Sequence, residues 1–171
     1  SITTADVPNQ TIALGAGTTG TRSINASAMA DNRTLTLTGS GAVDVTSVSA
    51  DINASGYIGA ITATVKNTAA ATFEIGTGAA DITAKGNAVL TIDADAAGGT
   101  AGALTIKGNA TGNILVTGAE STVTLDNNFS GNGLVKVTTA AVNAITVALG
   151  TSTTGTREVD ASALTGAQVL T

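Results

Sequence analysis

The sequence predicts an all-β fold, a parallel β-helix or β-solenoid of about twenty residues per coil. Three observations support this prediction: short runs of β-branched residues alternating with polar ones, run starts roughly ten residues apart, and a long internal repeat. A tandem repeat of β-sandwiches is the alternative, because sandwiches also contain many short strands at this spacing. The solenoid is favoured because Asn-Gly and Asp-Gly never join two of these runs as two-residue hairpin turns.

The strand-like runs are four to six residues long and end at Gly, Asn, Asp or Ser. The starts of alternate runs lie about twenty residues apart, which indicates a nearly constant coil length. A shorter run contains Ile52. The other predicted strands are Thr34–Thr38, Val43–Val48, Ile61–Val65, Thr72–Ile75, Asp81–Ala84, Val89–Ile92, Ala103–Ile106, Ile114–Thr117, Thr122–Leu125, Leu134–Thr138 and Ala144–Leu149.

The turns between the strands contain two polar features. Ser23–Arg33 and its counterpart from Glu158 have some helical character, and Asn25 or Asp160 could cap one turn there by accepting hydrogen bonds from free amides. We favour a single turn or an Asx loop over a helix. Asparagines also follow several strands, and we expect them to stack as a ladder at a coil corner: Asn67, Asn87 and Asn109.

The composition limits both the core and the partners. Only 2% of the 171 residues are aromatic and 11% are charged, so the core must be thin and built from Val, Ile, Leu, Ala and Thr methyl groups. A net charge of −5 with seven Lys and Arg argues against nucleic acid as a partner. No run approaches the roughly 18 apolar residues of a membrane span. The absence of Cys rules out disulfides and suits a secreted protein stabilised by other means.

A repeated stretch organises the chain. Thr11–Met29 matches Thr146–Leu164 without a gap, so that every residue keeps the same offset from its counterpart, which is the signature of a tandem array. We therefore interpret residues 1–135 as one repeat of six or seven coils and residues 136–171 as the start of the next. The candidate repeat-junction residues are Arg22, Arg157, Asn25, Asp160, Ser27 and Ser162.

The two junction arginines are conspicuous because the chain has so few basic residues. Arg22 and Arg157 both follow a Gly-Thr turn in the repeated stretch. Their predicted role is a contact at the junction, either a salt bridge between repeats or subunits or a clamp on backbone carbonyls. A solvated turn residue is the alternative.

The sequence contains no catalytic residue set. The absence of both His and Cys excludes the Ser-His-Asp and Cys-His nucleophile systems within this chain, and we do not expect an enzyme.

Calcium is the one cofactor that the residues suggest, because two loops are rich in oxygen ligands. One loop has the opening spacing of an EF-hand, although Val137 stands where the closing Glu would be. The alternative is that both loops are solvated turns. The candidate ligands are Asp93 and Asp95 in the first loop, and Asp126, Asn128 and Ser130 in the second.

The chain resembles bacterial surface-layer and adhesin-type proteins exported by type I secretion, in which β-solenoid segments lie beside calcium-binding nonapeptide repeats. The resemblance rests on a composition rich in Thr, Ala and Gly and on the motif in Ile24–Met29 and Val159–Gly166. The nonapeptide GGxGxDxUx is absent from this chain, so the calcium β-roll does not carry over. The resemblance implies an extracellular structural role at a bacterial cell surface.

The predicted function is a structural repeat of a cell-surface assembly, a surface layer or a filament, with copies of itself as the main partner. A cell-surface glycan is a further candidate partner. The alternative is an adhesin stalk or binding module. An ice-binding face made of Thr rows is a third hypothesis, which the irregular spacing of Thr-X-Thr disfavours.

Overall fold

The structure, a computed structural model, describes residues 1–16, 20–96, 99–142, 144–152, 154–165 and 168–171. The described residues form strands and turns without a helix, wound into a β-solenoid of about eight coils with about 21 residues per coil. The predicted fold class is confirmed. The β-sandwich alternative is wrong, because neighbouring strands of each sheet run parallel and come from successive coils.

Each coil contributes one strand to each of two eight-stranded sheets, here called sheet A and sheet B. Sheet A comprises β1 (Ile2–Thr3), β3 (Arg22–Asn25), β5 (Val43–Val48), β7 (Ile61–Val65), β9 (Ala80–Ala84), β11 (Leu104–Gly108), β13 (Val123–Leu125) and β16 (Val147–Ala148). Sheet B comprises β2 (Asn9–Leu14), β4 (Thr34–Gly39), β6 (Asp51–Asn53), β8 (Ala71–Glu74), β10 (Leu90–Asp93), β12 (Ile114–Ala119), β14 (Val135–Thr139) and β17 (Arg157–Asp160). β15 (Ala144–Ile145) and β18 (Val169–Leu170) pair in parallel as a short third sheet.

The predicted turn features have different outcomes. Residues 23–33 complete β3 and then form tight turns, so the Asx loop was the right interpretation and the helix the wrong one. The asparagine ladder is also wrong. Asn67 is buried and donates to the carbonyls of Ala69 and Val89, both at 2.9 Å, whereas Asn87 and Asn109 are exposed. The inward position next to Asn67 in the following coil is occupied by Gly86, which leaves room for the larger side chain.

The core lies between the two sheets and follows from the period-two alternation of the sequence, because successive side chains of a strand point to opposite faces. In sheet B one inward column continues through Leu35, Ile52, Phe73 and Ile92, each at most 2% exposed. The aromatic residues Tyr57 and Phe129 are also buried, at corners where the chain turns from one sheet to the other.

Glycines line one corner of the solenoid, between the strands of sheet B and those of sheet A. A Cβ atom on any of several of these glycines would lie about 2 Å from the carbonyl oxygen of the equivalent glycine one coil earlier. Successive coils therefore approach there at backbone contact distance. This column, which we call the corner glycine ladder, consists of Gly41, Gly59, Gly78 and Gly102.

The two copies of the repeated sequence lie on opposite faces. β1 is the first strand of sheet A, and its counterpart in the second copy lies in β14, the seventh strand of sheet B. Likewise β3 of sheet A corresponds to β17 of sheet B. The tandem repeat thus spans six and a half coils, within the predicted six or seven, and turns equivalent residues by about half a turn around the solenoid axis.

Among the described residues, no helix is long and apolar enough to cross a membrane.

Candidate functional site

The two copies of the repeat lie at opposite ends of the solenoid. We call them the N-terminal repeat segment (residues 1–36) and the C-terminal repeat segment (residues 136–171). Within each segment, counterpart residues pair in the same register, although the sheets are exchanged. The matching pairs are Ile2 with Ile24 and Val137 with Val159, and Gln10 with Leu35 and Ile145 with Leu170.

Each repeat segment contains the same Asx corner after its central strand. The backbone amide of Ser27 donates to Oδ1 of Asn25 at 3.0 Å, and the amide of Ser162 donates to Oδ1 of Asp160 at 3.1 Å. The hydrogen bonds from Ser162, together with the nearby Lys136 ammonium, hold the pKa of Asp160 below its ordinary value. Four of the predicted junction residues therefore stabilise local turns in both segments.

Three further corners use the same device in the central part of the chain. Oδ1 of Asn53, Asp93 and Asp126 accepts from the amide two residues on, at 3.2, 3.2 and 2.8 Å. The internal repeat does not reveal these corners because they lie outside the two repeat segments. The signal is an aliphatic residue, then Asx, any residue, and Ser, Asp or Asn, as in Ile52–Ser55.

Arg22 links two successive corners of the solenoid, the one after β2 and the one after β4. The alternation of β3 places it on the same inward face as Ile24. Its Nη2 donates to the carbonyl of Gly15 at 2.8 Å in the preceding turn, and its Nη1 donates to the carbonyl of Ser40 at 3.1 Å in the following one. This is the geometry of a carbonyl clamp, because one charged side chain satisfies acceptors of two different coils.

Arg157 occupies the equivalent inward position but has fewer partners. Its guanidinium carbon lies 5.1 Å from the centre of the Phe129 ring, and Nη1 donates to the carbonyl of Thr156 at 3.1 Å. Nε and Nη2 are buried and have no hydrogen-bond partner among the described residues. Burial lowers the pKa of Arg157, because the charged form loses hydration.

The outer face of the C-terminal repeat segment carries an ion-pair cluster. Nζ of Lys136 lies 2.8 Å from Oε1 of Glu158 and 3.6 Å from Oδ2 of Asp160. The hydrogen bond to Glu158 raises the pKa of Lys136. At the other end, the hydrogen bond from Arg33 lowers the pKa of Asp6. In sheet A, the hydrogen bond to Asp81 raises the pKa of Lys107.

These pKa shifts predict that the stability of the fold is nearly constant over a middle range of pH and falls at both acidic and basic pH. The lowered pKa values of Asp6 and Asp160 stabilise the fold above about pH 4, the unfolded value, and this contribution is lost as the pH falls through the lower folded value. The raised pKa values of Lys107 and Lys136 stabilise it below about pH 10.5 and are lost as the pH rises through the higher folded value. Melting midpoints measured from pH 2 to 12 should show this plateau.

A matched variant tests the acidic side of that plateau. Asp160→Asn keeps the Asx corner, since Asn25 forms the same turn, but removes a titrating carboxylate. We expect a shallower loss of the melting midpoint below about pH 4 than in the native chain. An identical acid limb in both proteins would contradict the assignment.

The candidate calcium ligands do not converge. Asp93 and Asp95 follow β10 where the chain turns from sheet B to sheet A, whereas Asp126, Asn128 and Ser130 follow β13 at the opposite corner. One oxygen each of Asp93 and Asp126 already accepts a backbone amide. In the part of the chain that the structure describes, no group of three or more acidic, His or Cys side chains is placed to hold a metal ion.

We expect calcium to have little effect on the stability of this chain, because a hard cation needs several converging oxygen ligands. The melting midpoint should change by less than about 2 °C between excess chelator and millimolar calcium, since binding stabilises only where the native state binds the ion. Asp126→Asn is the matched variant and should behave the same way. A calcium-dependent rise in the native chain that Asp126→Asn abolishes would instead establish the site at the second loop.

A shallow groove of about 340 Å³ lies on the outer face of sheet B. Its walls are polar, and Asp51 accepts a hydrogen bond from the amide of Thr72 at 2.7 Å. Glu74 and Asn53 lie on neighbouring coils beside it. Among the residues that the structure describes, no aromatic side chain lines this groove, so it lacks the stacking platform typical of sugar-processing sites.

No protein-family model matches this chain, and the comparisons with curated proteins and with solved structures gave no match either. The class is therefore defined by the geometry: a parallel β-solenoid built from a tandem repeat, with the same segment in the same register at both ends.

Proposed function

We propose that this chain is a structural repeat of an extracellular cell-surface assembly, a surface layer or a filament, built by stacking β-solenoid coils. The observation that supports this most strongly is the identical strand register of the two repeat segments. A solenoid in which the same repeat segment recurs with the same strand register is suited to extension. Each repeat contacts only its neighbours, so further repeats can be added in the same way.

The surface chemistry supports the same proposal. In the part of the chain that the structure describes, the outer faces of the strands carry Thr, Asp and Asn rather than a converging set of catalytic groups. The chain is acidic and free of Cys. Such a composition suits an oxidising exterior where stability comes from stacking instead of disulfides. The resemblance to surface-layer and adhesin-type proteins points to a bacterial cell surface. On this proposal residues 1–135 form one repeat and residues 136–171 open the next.

An adhesin stalk is the second candidate, because the polar groove around Asp51 and Glu74 offers a surface glycan hydrogen-bonding groups, although no aromatic platform. An ice-binding face is less well supported. In sheet A the pair Thr62 and Thr64 of β7 stacks on Asp81 and Thr83 of the next coil, so a charge interrupts the Thr row. Ice recognition by repeated Thr rows would need a flat, uninterrupted face.

The proposal is tested by the shape and location of the protein. Electron microscopy of the purified chain at increasing concentration should show rods that lengthen or associate into sheets, with a repeat of about 4.8 Å along the rod. Antibodies against the chain should label intact cells of the source organism as strongly as permeabilised ones. Particles that stay compact and monomeric at every concentration, or labelling only after permeabilisation, would contradict it.

A further inference from the structure

We propose that copies of this chain associate side by side without an axial shift, through two lysines at one edge of the solenoid and two carboxylates at the opposite edge of a second copy. The lysine ladder consists of Lys66 and Lys85, and the carboxylate ladder consists of Glu74 and Asp93. This inference deepens the proposed function and rests on it, since it specifies the lateral contact by which a structural repeat forms a surface layer.

The lysine ladder lies at the ends of two neighbouring strands of sheet A. Val65 of β7 pairs with Ala84 of β9, so Lys66 and Lys85, which follow them, lie next to each other on successive coils. Both side chains are exposed, and neither forms a salt bridge with a residue that the structure describes. The remaining basic side chains all contact a carboxylate, a backbone carbonyl or an aromatic ring.

The carboxylate ladder has the same form at the ends of two neighbouring strands of sheet B. Glu74 of β8 pairs with Asp93 of β10, and both alternate with buried apolar residues, so the two carboxylates project from the outer face on successive coils. One oxygen of Asp93 accepts the amide of Asp95. In the described part of the chain, neither carboxylate forms a salt bridge, so both are available to a cation of a second copy.

Each ladder places like charges next to each other, which is unfavourable in the isolated molecule. Side chains directly opposite each other on neighbouring strands interact, and like charges there are destabilising. Neutral residues limit both ladders to two coils: Ser49 and Asn109 flank the lysines, and Asn53 and Thr117 flank the carboxylates. Such conflicts with a local rule are expected mainly at functional sites. A second copy that brings the opposite ladder relieves both repulsions.

The two ladders occupy the same two coils at opposite edges. Lys66 and Glu74 belong to the coil that β7 and β8 form, and Lys85 and Asp93 belong to the next coil, formed by β9 and β10. The strands of sheet A end where the chain turns to sheet B, and those of sheet B end where it turns back, so the two sets of ends lie at opposite edges. Two parallel copies at the same height therefore place each lysine ladder beside a carboxylate ladder.

This arrangement favours a flat layer over a single filament. The contact is heterologous, because one edge of the first copy meets the opposite edge of the second. Copies related by translation alone leave a free ladder of each kind at the two outer edges, so the array extends without closing.

The groove on the outer face of sheet B gives an incoming lysine side chain room beside Glu74, with Asn53 and Thr72 in its wall. An exposed ion pair contributes little by itself, and salt screens it. Single copies should therefore associate weakly, at low ionic strength and high concentration. In a chain of several repeats the contacts add, which strengthens the layer without any new kind of contact.

The decisive test reverses the charges of one ladder at a time. The acidic variant, Lys66→Glu with Lys85→Glu, has carboxylates at both edges, and the basic variant, Glu74→Lys with Asp93→Lys, has lysines at both. In sedimentation velocity at low salt, we expect the association constant of each variant alone to fall by about tenfold. An equimolar mixture of the two should associate again. A mixture that associates no better than its components would overturn the lateral contact.

The basic variant also separates this contact from an effect of net charge. Each of its two substitutions adds two positive charges, so the net charge changes from −5 to −1 and general repulsion between copies falls. Net charge therefore predicts stronger association, whereas the ladder contact predicts weaker association. Asp44→Lys is the matched control for Glu74→Lys, because it makes the same charge change on the outer face of sheet A, where no ladder lies. Equal weakening by both would overturn the assignment.

The failure of this inference can be told from the failure of the proposed function. Rods that lengthen in the electron microscope but never associate laterally at low salt would overturn the ladder contact and leave the structural role intact. A chain that stays compact and monomeric at every concentration removes both proposals.

Zero-length crosslinking of the native chain measures the axial register without any substitution. A carbodiimide joins an amine to a carboxylate that it contacts, and chains labelled with light and heavy nitrogen isotopes are mixed first, so that links between two copies carry both labels. We expect mixed-label peptides that join Lys66 to Glu74 and Lys85 to Asp93. Links displaced by one coil, from Lys66 to Asp93, would overturn the proposed register.

The ion pair of Lys107 and Asp81 is the internal control for this experiment, because both residues belong to one chain. Its crosslinked peptides should carry a single label. Single-label peptides from the two ladders as well would overturn the contact between copies.

Discussion

Replacing Gly78 by Ala is expected to destabilise the solenoid by about 3 kcal/mol or more, the range of severe overpacking. Gly78 belongs to the corner glycine ladder, and a Cβ there would lie 1.9 Å from the carbonyl oxygen of Gly59 and 2.4 Å from its carbonyl carbon. The obstacle is backbone that already belongs to the neighbouring coil, so no side chain can move to relieve the clash. Thermal and denaturant unfolding followed by circular dichroism would measure the loss.

The matched control is Gly56→Ala. A Cβ at Gly56 meets nothing within 4 Å, and its backbone does not adopt a positive φ. We expect this variant to unfold within about 0.5 kcal/mol of the native chain, as for most surface changes. If Gly56→Ala and Gly78→Ala had equal effects, the cost would arise from the loss of glycine itself and not from the close approach of the coils.

The coil architecture was predictable because it depends on local alternation. Val43–Val48 and Ile61–Val65 were predicted with the bounds that the structure has, since apolar residues alternate with polar ones along most of both runs, which marks a strand facing a core. Most of the other predicted bounds differ by one or two residues, as where Gly39 extends β4. The predicted strand Ala144–Leu149 is instead divided into β15 and β16, which lie in different sheets. Strand spacing also predicted the coil length, because each coil must close on itself.

The face of each strand was not predictable from the repeat. The length of the repeat alone does not show that it contains six and a half coils, because the corners differ in length and the coils therefore differ too. Thr11 pairs with Thr36 and Thr36 pairs with Asn53, so the first of these two coils is clearly longer than the second. The half turn between the repeat segments emerges only when the coil lengths are added along the chain.

The junction residues were found by sequence, but their chemistry was not. The repeat singled out Arg22 and Arg157, yet Arg22 donates to the carbonyls of Gly15 and Ser40 whereas Arg157 lies over the Phe129 ring, and this difference depends on tertiary packing. For the candidate calcium ligands, the sequence pattern fits two different structures. Alternating Asp and Asn near glycine also describes an Asx corner, and Asp126 uses one carboxylate oxygen to accept the amide of Asn128.

Phe73→Ala is the second large effect that we expect, a loss of about 3–5 kcal/mol. Phe73 is 1% exposed and stacks between Ile52 and Ile92 in the inward column of sheet B. A thin core of small side chains has few neighbours that could shift into the cavity, so the empty volume should persist. For a chain of this length the loss corresponds to a fall of about 10 °C in the melting midpoint.

The position of Phe73 makes this variant more informative than one at an end. In a solenoid each coil is stabilised by its two neighbours, so a weak central coil should lower the coupling between the two halves of the chain. We therefore expect broader unfolding, with a smaller dependence of the free energy on denaturant, besides the lower midpoint. Ile58→Ala is the control, because Ile58 is 64% exposed and its removal should leave both quantities unchanged. A sharp transition at the native midpoint in Phe73→Ala would show that the core is not organised as one continuous column.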